Sequence, residues 1–302
     1  MTARDHAHRG TICVEDAEVL AQQAWPGEQF VLHLRAPAIA VRAQPGSFVH
    51  LTCDPDLPMR RPLSLQRADA NSGTIEILYK IVGQGLRALS RVHTGMRLSC
   101  LGPIGRGFVA HPERPRALLL GGGVGMPPIV FLAERLAAHG AAGYRPLVLL
   151  GSEVPFPFHA RPSTLPVPGI PAGAVASLPR LEELGVPSRL ATLAGFAGCY
   201  PGLVTELAGA WLRTLAPAAL AEVEMYACGP APMLAAAARL AQRFGLPCQV
   251  ALEEFMACAV GGCAGCTVRV DTADGPAMKR VCVDGPVFDA NAVFPPAAAA
   301  RG

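Results

Sequence analysis

Four cysteines near the carboxy-terminal end restrict this chain more than any other feature: Cys258-Ala-Val-Gly-Gly-Cys263-Ala-Gly-Cys266, then Cys282 after fifteen further residues. Three thiols this close in sequence must fold back around one centre, and Gly261, Gly262 and Gly265 allow the backbone conformations that this requires. A C-x4-C-x2-C run with a distant fourth cysteine is the plant-type 2Fe-2S ligand spacing. Structural zinc is the other reading, but its ligands usually arrive as two short pairs, not as three together and one apart. Cys258, Cys263, Cys266 and Cys282 are therefore the expected cluster ligands. The small residues between them let backbone N–H groups approach the sulfurs and tune the potential. Such a cluster passes single electrons and takes no hydride, so the rest of the chain should hold a cofactor able to do both, as a flavin does.

The 302 residues leave room for about two domains beside the cysteine segment. With 51% apolar and only 16% charged residues, the chain has material for a substantial core and is not disordered. A net charge of +3 without a Lys/Arg run argues against a nucleic-acid partner. The mean hydropathy of +0.33 raises the question of a membrane. The most apolar stretch, Ala117 to Ala133, is broken by three glycines and Pro127-Pro128, and it is shorter than the ~20 residues a spanning helix needs. The polar start, MTARDHAHRG, is followed by no apolar segment, so no signal peptide is expected. Read with ten cysteines that suit a reducing compartment, this gives a cytoplasmic location as the expectation.

Three units are expected along the chain. Residues 1–111 carry short β-rich runs (Gln29 to Leu34, Phe48 to Leu51, Thr74 to Tyr79) between Gly and Pro punctuators, which predicts an antiparallel barrel or sandwich. In residues 112–252, strands at Arg116–Leu120, Pro146–Leu150, Val223–Ala227 and Cys248–Leu252 alternate with helical patterns. One helix follows Pro127-Pro128 and stops near Gly140, and another spans Ala231–Phe244 with its stop at Gly245. This predicts an α/β unit with a mostly parallel sheet. The proline-rich stretch from Phe156 to Pro171 should be irregular. Residues 253–302 read as a cysteine module without regular pattern.

Phosphate-binding candidates lie in both larger units. Gly121 to Gly125, between a strand and a helix, suits a phosphate at a helix N-terminus, although the third position of a G-x-G-x-x-G falls on Met126. Cys228-Gly229-Pro230 follows another strand and should share that edge of the sheet. In the β unit, Arg60 and Arg61 put paired guanidinium groups beside Ser64, with bidentate phosphate contact or a solvated basic loop as the two readings. Gly83-Gln84-Gly85 is either an anion nest or a hairpin turn.

Taken in order, Arg61-x-x-Ser64, then Gly-Gly-x-Gly-x-x-Pro from Gly122 to Pro128, then Cys228-Gly229-Pro230 resemble the ferredoxin–NADP reductase superfamily. The tail, with Glu254-Phe-Met-Ala-Cys258 and Lys279-Arg-Val-Cys-Val-Asp-Gly-Pro-Val-Phe288, resembles the electron-transfer subunits of NAD-dependent dihydroorotate dehydrogenase. The resemblance implies an FAD-binding barrel, a parallel-sheet NAD-binding domain and a C-terminal 2Fe-2S module. It further implies that Arg61, Pro62, Leu63 and Ser64 form the flavin motif, with Leu78, Tyr79 and Lys80 flanking the cofactor and Gly85 and Leu86 near its phosphates. Gly122, Gly123 and Gly125 would hold the dinucleotide, with Cys228, Gly229 and Pro230 near the nicotinamide. Two positions depart from the pattern: Leu63 stands where the superfamily often has tyrosine, and Leu86 where the subunits commonly have threonine. Glu153 is read as a loop acid or a ribose contact. No acid–base residue is expected. The implied partner is an FMN-containing catalytic subunit in a heterotetramer of two of each, working in pyrimidine biosynthesis. The small subunit of an NAD(P)H–ferredoxin oxidoreductase or of a sulfide dehydrogenase is a neighbouring alternative, and a nucleotide-binding regulator with structural zinc is one of another class.

Overall fold

The computed structural model describes residues 10–138 and 143–296, so the expected helix stop at Gly140 lies outside the described residues. Strands β1 (Cys13–Trp25), β2 (Gln29–Arg35), β3 (Phe48–Leu51), β4 (Arg61–Asp69), β5 (Thr74–Lys80) and β6 (Arg97–Ile104) close an antiparallel barrel in the order β1-β2-β5-β4-β3-β6. Alternation on β2 and β5 sends Leu32, Leu34, Ile75, Ile77 and Tyr79 into the barrel core with Leu51 and Leu65. Closure leaves no free edge among these strands.

The second unit is a seven-stranded sheet. Its members are β7 (Arg116–Gly122), β8 (Leu147–Gly151), β11 (Ser188–Thr192), β12 (Tyr200–Pro201), β13 (Val223–Cys228), β14 (Cys248–Ala251) and β17 (Val287–Asp289). They run β12-β11-β8-β7-β13-β14-β17, parallel except for β17. Successive residues of β7 belong to opposite faces. Ala117 and Leu119 pack with the Met126–Ala138 helix, while Leu118 and Leu120 pack with the helices Val204–Leu212 and Ala231–Phe244. A strand covered on both sides reads as one apolar run, which is what Ala-Leu-Leu-Leu presents. The Ala231–Phe244 helix ends at Gly245, whose φ of 66° supplies the left-handed cap. The proline-rich stretch contributes only a two-residue pairing of β9 (Arg161–Pro162) with β10 (Ala176–Ser177).

The carboxy-terminal segment corrects the expectation of a module without regular pattern. β15 (Thr267–Thr272) and β16 (Gly275–Arg280) form a hairpin, and β17 returns to pair antiparallel with β14. The base of the module also meets the barrel end. The Arg106 N–H donates to Gly285 O (2.6 Å), and a Cβ on Gly105 would come within 2.4 Å of Pro286. Phe48 and Ile104 of the barrel share a small core with Met256, Ala259, Cys266, Val281, Cys282 and Val283.

Candidate functional site

A cleft of about 980 Å³ opens between the barrel, the carboxyl edge of the parallel sheet and the segment 251–257. Strand alternation decides how the expected flavin residues border it. On β4, Pro62 and Ser64 stand on the cleft side, while Leu63 packs with Leu65 in the barrel core and still borders the cleft. On β5, Leu78 and Lys80 reach the cleft wall. The ring of Tyr79 lies in the barrel core, stacked on Phe30, and its hydroxyl donates to Gln22 Oε1 (2.8 Å). Tyr79 therefore borders the cleft with its ring turned away into the barrel.

The paired guanidinium groups expected at Arg60 and Arg61 separate. Arg60 stitches two strands together, donating to Ser99 O (2.7 Å), Ser99 Oγ (2.8 Å) and His50 O (3.2 Å). Arg61 stays at the cleft, bonded to carbonyls of its own segment at Met59 (2.6 Å) and Arg60 (3.2 Å). Gly83-Gln84-Gly85 is not a hairpin turn; it opens the Gly83–Leu89 helix. Gly85 lies beneath Arg61, where a Cβ would come within 2.7 Å of Nε, and Leu86 lines the cleft. Behind this wall His50 is 1% exposed, and burial together with the neighbouring Arg60 charge pushes its imidazole down to about 4.

The glycine loop and the Cys-Gly-Pro turn meet at the ends of adjacent parallel strands, with Gly121 opposite Cys228. Gly121 and Gly122 are the last residues of β7, and Gly123–Gly125 form one turn of 3-10 helix leading into the Met126 helix. Gly125 crosses directly over Cys228 and Gly229, so a Cβ there would lie 2.5 Å from their backbone atoms. Gly122 and Gly229 approach each other beneath Met233. Gly123 has φ +54° and open space where a Cβ would be, as close approach of a ligand to the backbone requires. Val124, Pro128 and Cys228 extend from this crossing to the cleft; Gly122, Gly123, Gly125, Gly229 and Pro230 lie outside its lining. Cys228 is fully buried, and burial followed by the nearby Glu253 charge pushes its thiol well up.

The four tail cysteines stand as two pairs. Cys266 and Cys282 are buried, with sulfurs 3.3 Å apart. Cys258 bonds the Cys263 thiol and accepts the Cys263 N–H (3.4 Å), and Cys263 is exposed. Partial burial opposes ionisation of Cys258, yet the N–H groups of Val260, Cys263 and Gly262 bring it down to about 6. Burial and the bond to Cys266 push Cys282 up. Among the described residues no three His, Cys, Asp or Glu side chains gather as one metal ion would require. Two sulfur pairs with inward N–H groups fit a two-iron cluster better than a single zinc.

The sequence reading missed the segment that joins cleft and cysteines. Leu252, Glu253, Glu254, Phe255, Met256 and Ala257 line the cleft before the chain enters the cysteine loop, and Gly265 of that loop lines it as well. Glu253 is open to the water of the cleft, but the surrounding walls thin that water and push its carboxyl up. Its position directly after a sheet strand, at the edge where open α/β sheets bind ligands, was the signal available. Glu153 is exposed on the loop after β8.

The profile of the iron-sulfur cluster binding domain of dihydroorotate dehydrogenase B matches residues 253–294. The electron transfer subunit of dihydroorotate dehydrogenase B (NAD(+)) from Geobacillus thermodenitrificans is 34% identical over 286 residues, spanning 92% of this chain and 98% of the relative. The chain belongs to the family of dihydroorotate dehydrogenase B electron transfer subunits. The subunit from Bacillus caldolyticus is 35% identical over 285 residues, with the same two coverages of 92% and 98%. The fold of this family member matches a solved chain of the NADH-dependent reduced ferredoxin-NADP oxidoreductase, with a TM-score of 0.72 at 24% identity over 92% of this chain and 90% of that one. It also matches the ferredoxin reductase of carbazole 1,9a-dioxygenase, with a TM-score of 0.59 at 22% identity over 78% and 67%. At these identities the likeness concerns the fold. Among the described residues no helix is long and apolar enough to cross a membrane.

Proposed function

We propose that the chain is the electron-transferring partner of a separate FMN-containing subunit that oxidises dihydroorotate, and that it passes the electrons to NAD⁺ in pyrimidine biosynthesis. One observation carries this reading: a single cleft is lined at once by Arg61 and Ser64 of the barrel, by Val124 and Cys228 of the sheet edge, and by Gly265 of the cysteine loop. FAD held in that cleft would supply both exchanges, single electrons with a 2Fe-2S cluster and a hydride with NAD⁺. Arg61 holds the FAD pyrophosphate, while Pro62, Ser64, Leu78 and Lys80 fix the ring on the barrel side. The crossing of Gly122, Gly123 and Gly125 with Cys228, Gly229 and Pro230 offers the dinucleotide backbone N–H groups and close approach. Cys258, Cys263, Cys266 and Cys282 hold the irons, and the exposed Cys263 marks the side facing the partner. The name of the relatives, an electron transfer subunit, supports a second subunit; the proposed assembly is two of each, in the cytoplasm.

The test is reconstitution with the dihydroorotate-oxidising subunit, followed by NADH formation from dihydroorotate. Cys263→Ser should stop electron delivery to NAD⁺ in the assembled enzyme while NADH still bleaches the flavin of the isolated chain. A colourless preparation with bound zinc and no flavin would overturn the redox reading in favour of a nucleotide-binding regulator.

A further inference from the structure

Cys258, Cys263 and Cys266 share one loop, whereas Cys282 arrives on the short Val281–Asp284 helix after the β15–β16 hairpin. The register between these segments has to be set by contacts other than the sulfurs. One is the bond from the Val281 N–H to Cys266 O (2.9 Å). A second is the close approach of Gly261 to Val283, where a Cβ on Gly261 would lie 2.5 Å from Cγ2. The third is ionic. Arg280 Nη1 donates to Gly261 O at 2.8 Å, its own backbone N–H donates to Asp284 Oδ2 at 2.9 Å, and its Nε lies 4.0 Å from the same carboxylate. Asp284 thus caps the Arg280 backbone and sits beside its guanidinium, which grips the middle of the cysteine loop.

We propose that Arg280 is a positioning residue of the sulfur cage. It ties the Cys258–Cys263 side to the Cys266–Cys282 side and brings a guanidinium, paired with Asp284, onto the loop that carries three of the four sulfurs. This rests on the 2Fe-2S reading above. Reduction adds an electron to the cage, so a neighbouring cation that never titrates favours the reduced form. Lysine keeps the charge but not the planar fork, and glutamine keeps a donor without the charge, so the two variants separate grip from charge.

The experiment compares Arg280→Gln and Arg280→Lys with the parent protein by iron content, the EPR spectrum of the reduced form and the one-electron midpoint potential. Arg280→Gln should become about tenfold harder to reduce, a fall of ~59 mV. Arg280→Lys should hold the parent potential and show a broadened EPR spectrum. Equal iron loss in both variants with an unchanged potential in the loaded fraction would overturn the charge role. Unchanged iron, spectrum and potential would overturn the whole inference. Hydrogen exchange of the metal-free chain gives an independent arm: the amides of Gly261 to Cys266 should exchange faster in Arg280→Gln, and unchanged exchange would show that the grip does not exist. If the parent protein bound no cluster, the functional reading would fall, while this arm would still decide the grip.

Discussion

At the sheet edge, Gly121, Gly122, Gly125 and Gly229 interlock at the ends of strands buried on both faces, Gly125 against the backbone of Cys228 and Gly229 and the others against Leu150 and Met233. The cysteine loop has a different economy of contacts. Gly262 would meet nothing closer than the Cys258 sulfur at 4.0 Å, and Ala259, Gly261 and Ala264 all take positive φ. The first site is held throughout by packing that exists without a ligand, whereas the second packs at Ala259, Gly261 and Cys266 and leaves Gly262 and the exposed Cys263 to hydrogen bonds around sulfurs. A ligand at the glycine edge would therefore find it already formed, whereas metal binding at the cysteines would contribute to the folding of their loop.

The widest separation between the two regions should come from metal removal. Anaerobic chelation should speed hydrogen exchange across Cys258 to Cys266, short of an open loop because the Arg280 bond to Gly261 O remains, and leave β7 and β13 protected; equal loosening of both would break the distinction. Next in size, Gly125→Ala puts a Cβ 2.5 Å from backbone atoms that cannot yield. It should cost about 3 kcal/mol in urea unfolding, against under ~0.5 kcal/mol for Gly262→Ala. The barrel wall behind the cleft offers a third measurement. His50 is neutral in the folded chain down to about pH 4, whereas in the unfolded chain it protonates near 6.5. Its contribution is complete above pH 6.5 and is lost as the pH falls towards 4. Stability should drop over that window by about 2 kcal/mol more than in His50→Asn. The smallest effect belongs to Gly85→Ala. The Arg61 guanidinium is the flexible end of a side chain and can move aside, so stability should change by less than ~0.5 kcal/mol. FAD affinity, read by flavin fluorescence, should fall about tenfold, or ~1.4 kcal/mol.

Local chemistry was readable in the sequence, and long-range pairing was not. The Ala231–Phe244 helix announces itself through its spacing and Gly245, and the cysteine spacing points to a two-iron site without any fold. β1 hides because only Ala17 and Val19 of its thirteen residues are buried, so its alternation is carried by small and acidic residues. The β15–β16 hairpin is legible in the alternation of Thr-Val-Arg-Val-Asp-Thr and the turn ending at Gly275, although only Val270 of β15 is buried. β17 could not be read at all. Three residues become a strand only because β14 is there to receive them. The division of labour between Arg60 and Arg61 likewise depends on Ser99, a residue far away in sequence.

The pairing of β14 with β17 fastens the cysteine segment at both its entry and its exit. An appendage nailed down at two points cannot swing like a carrier arm between donor and acceptor. Charge must then cross a gap of constant width, and its speed should be indifferent to solvent viscosity.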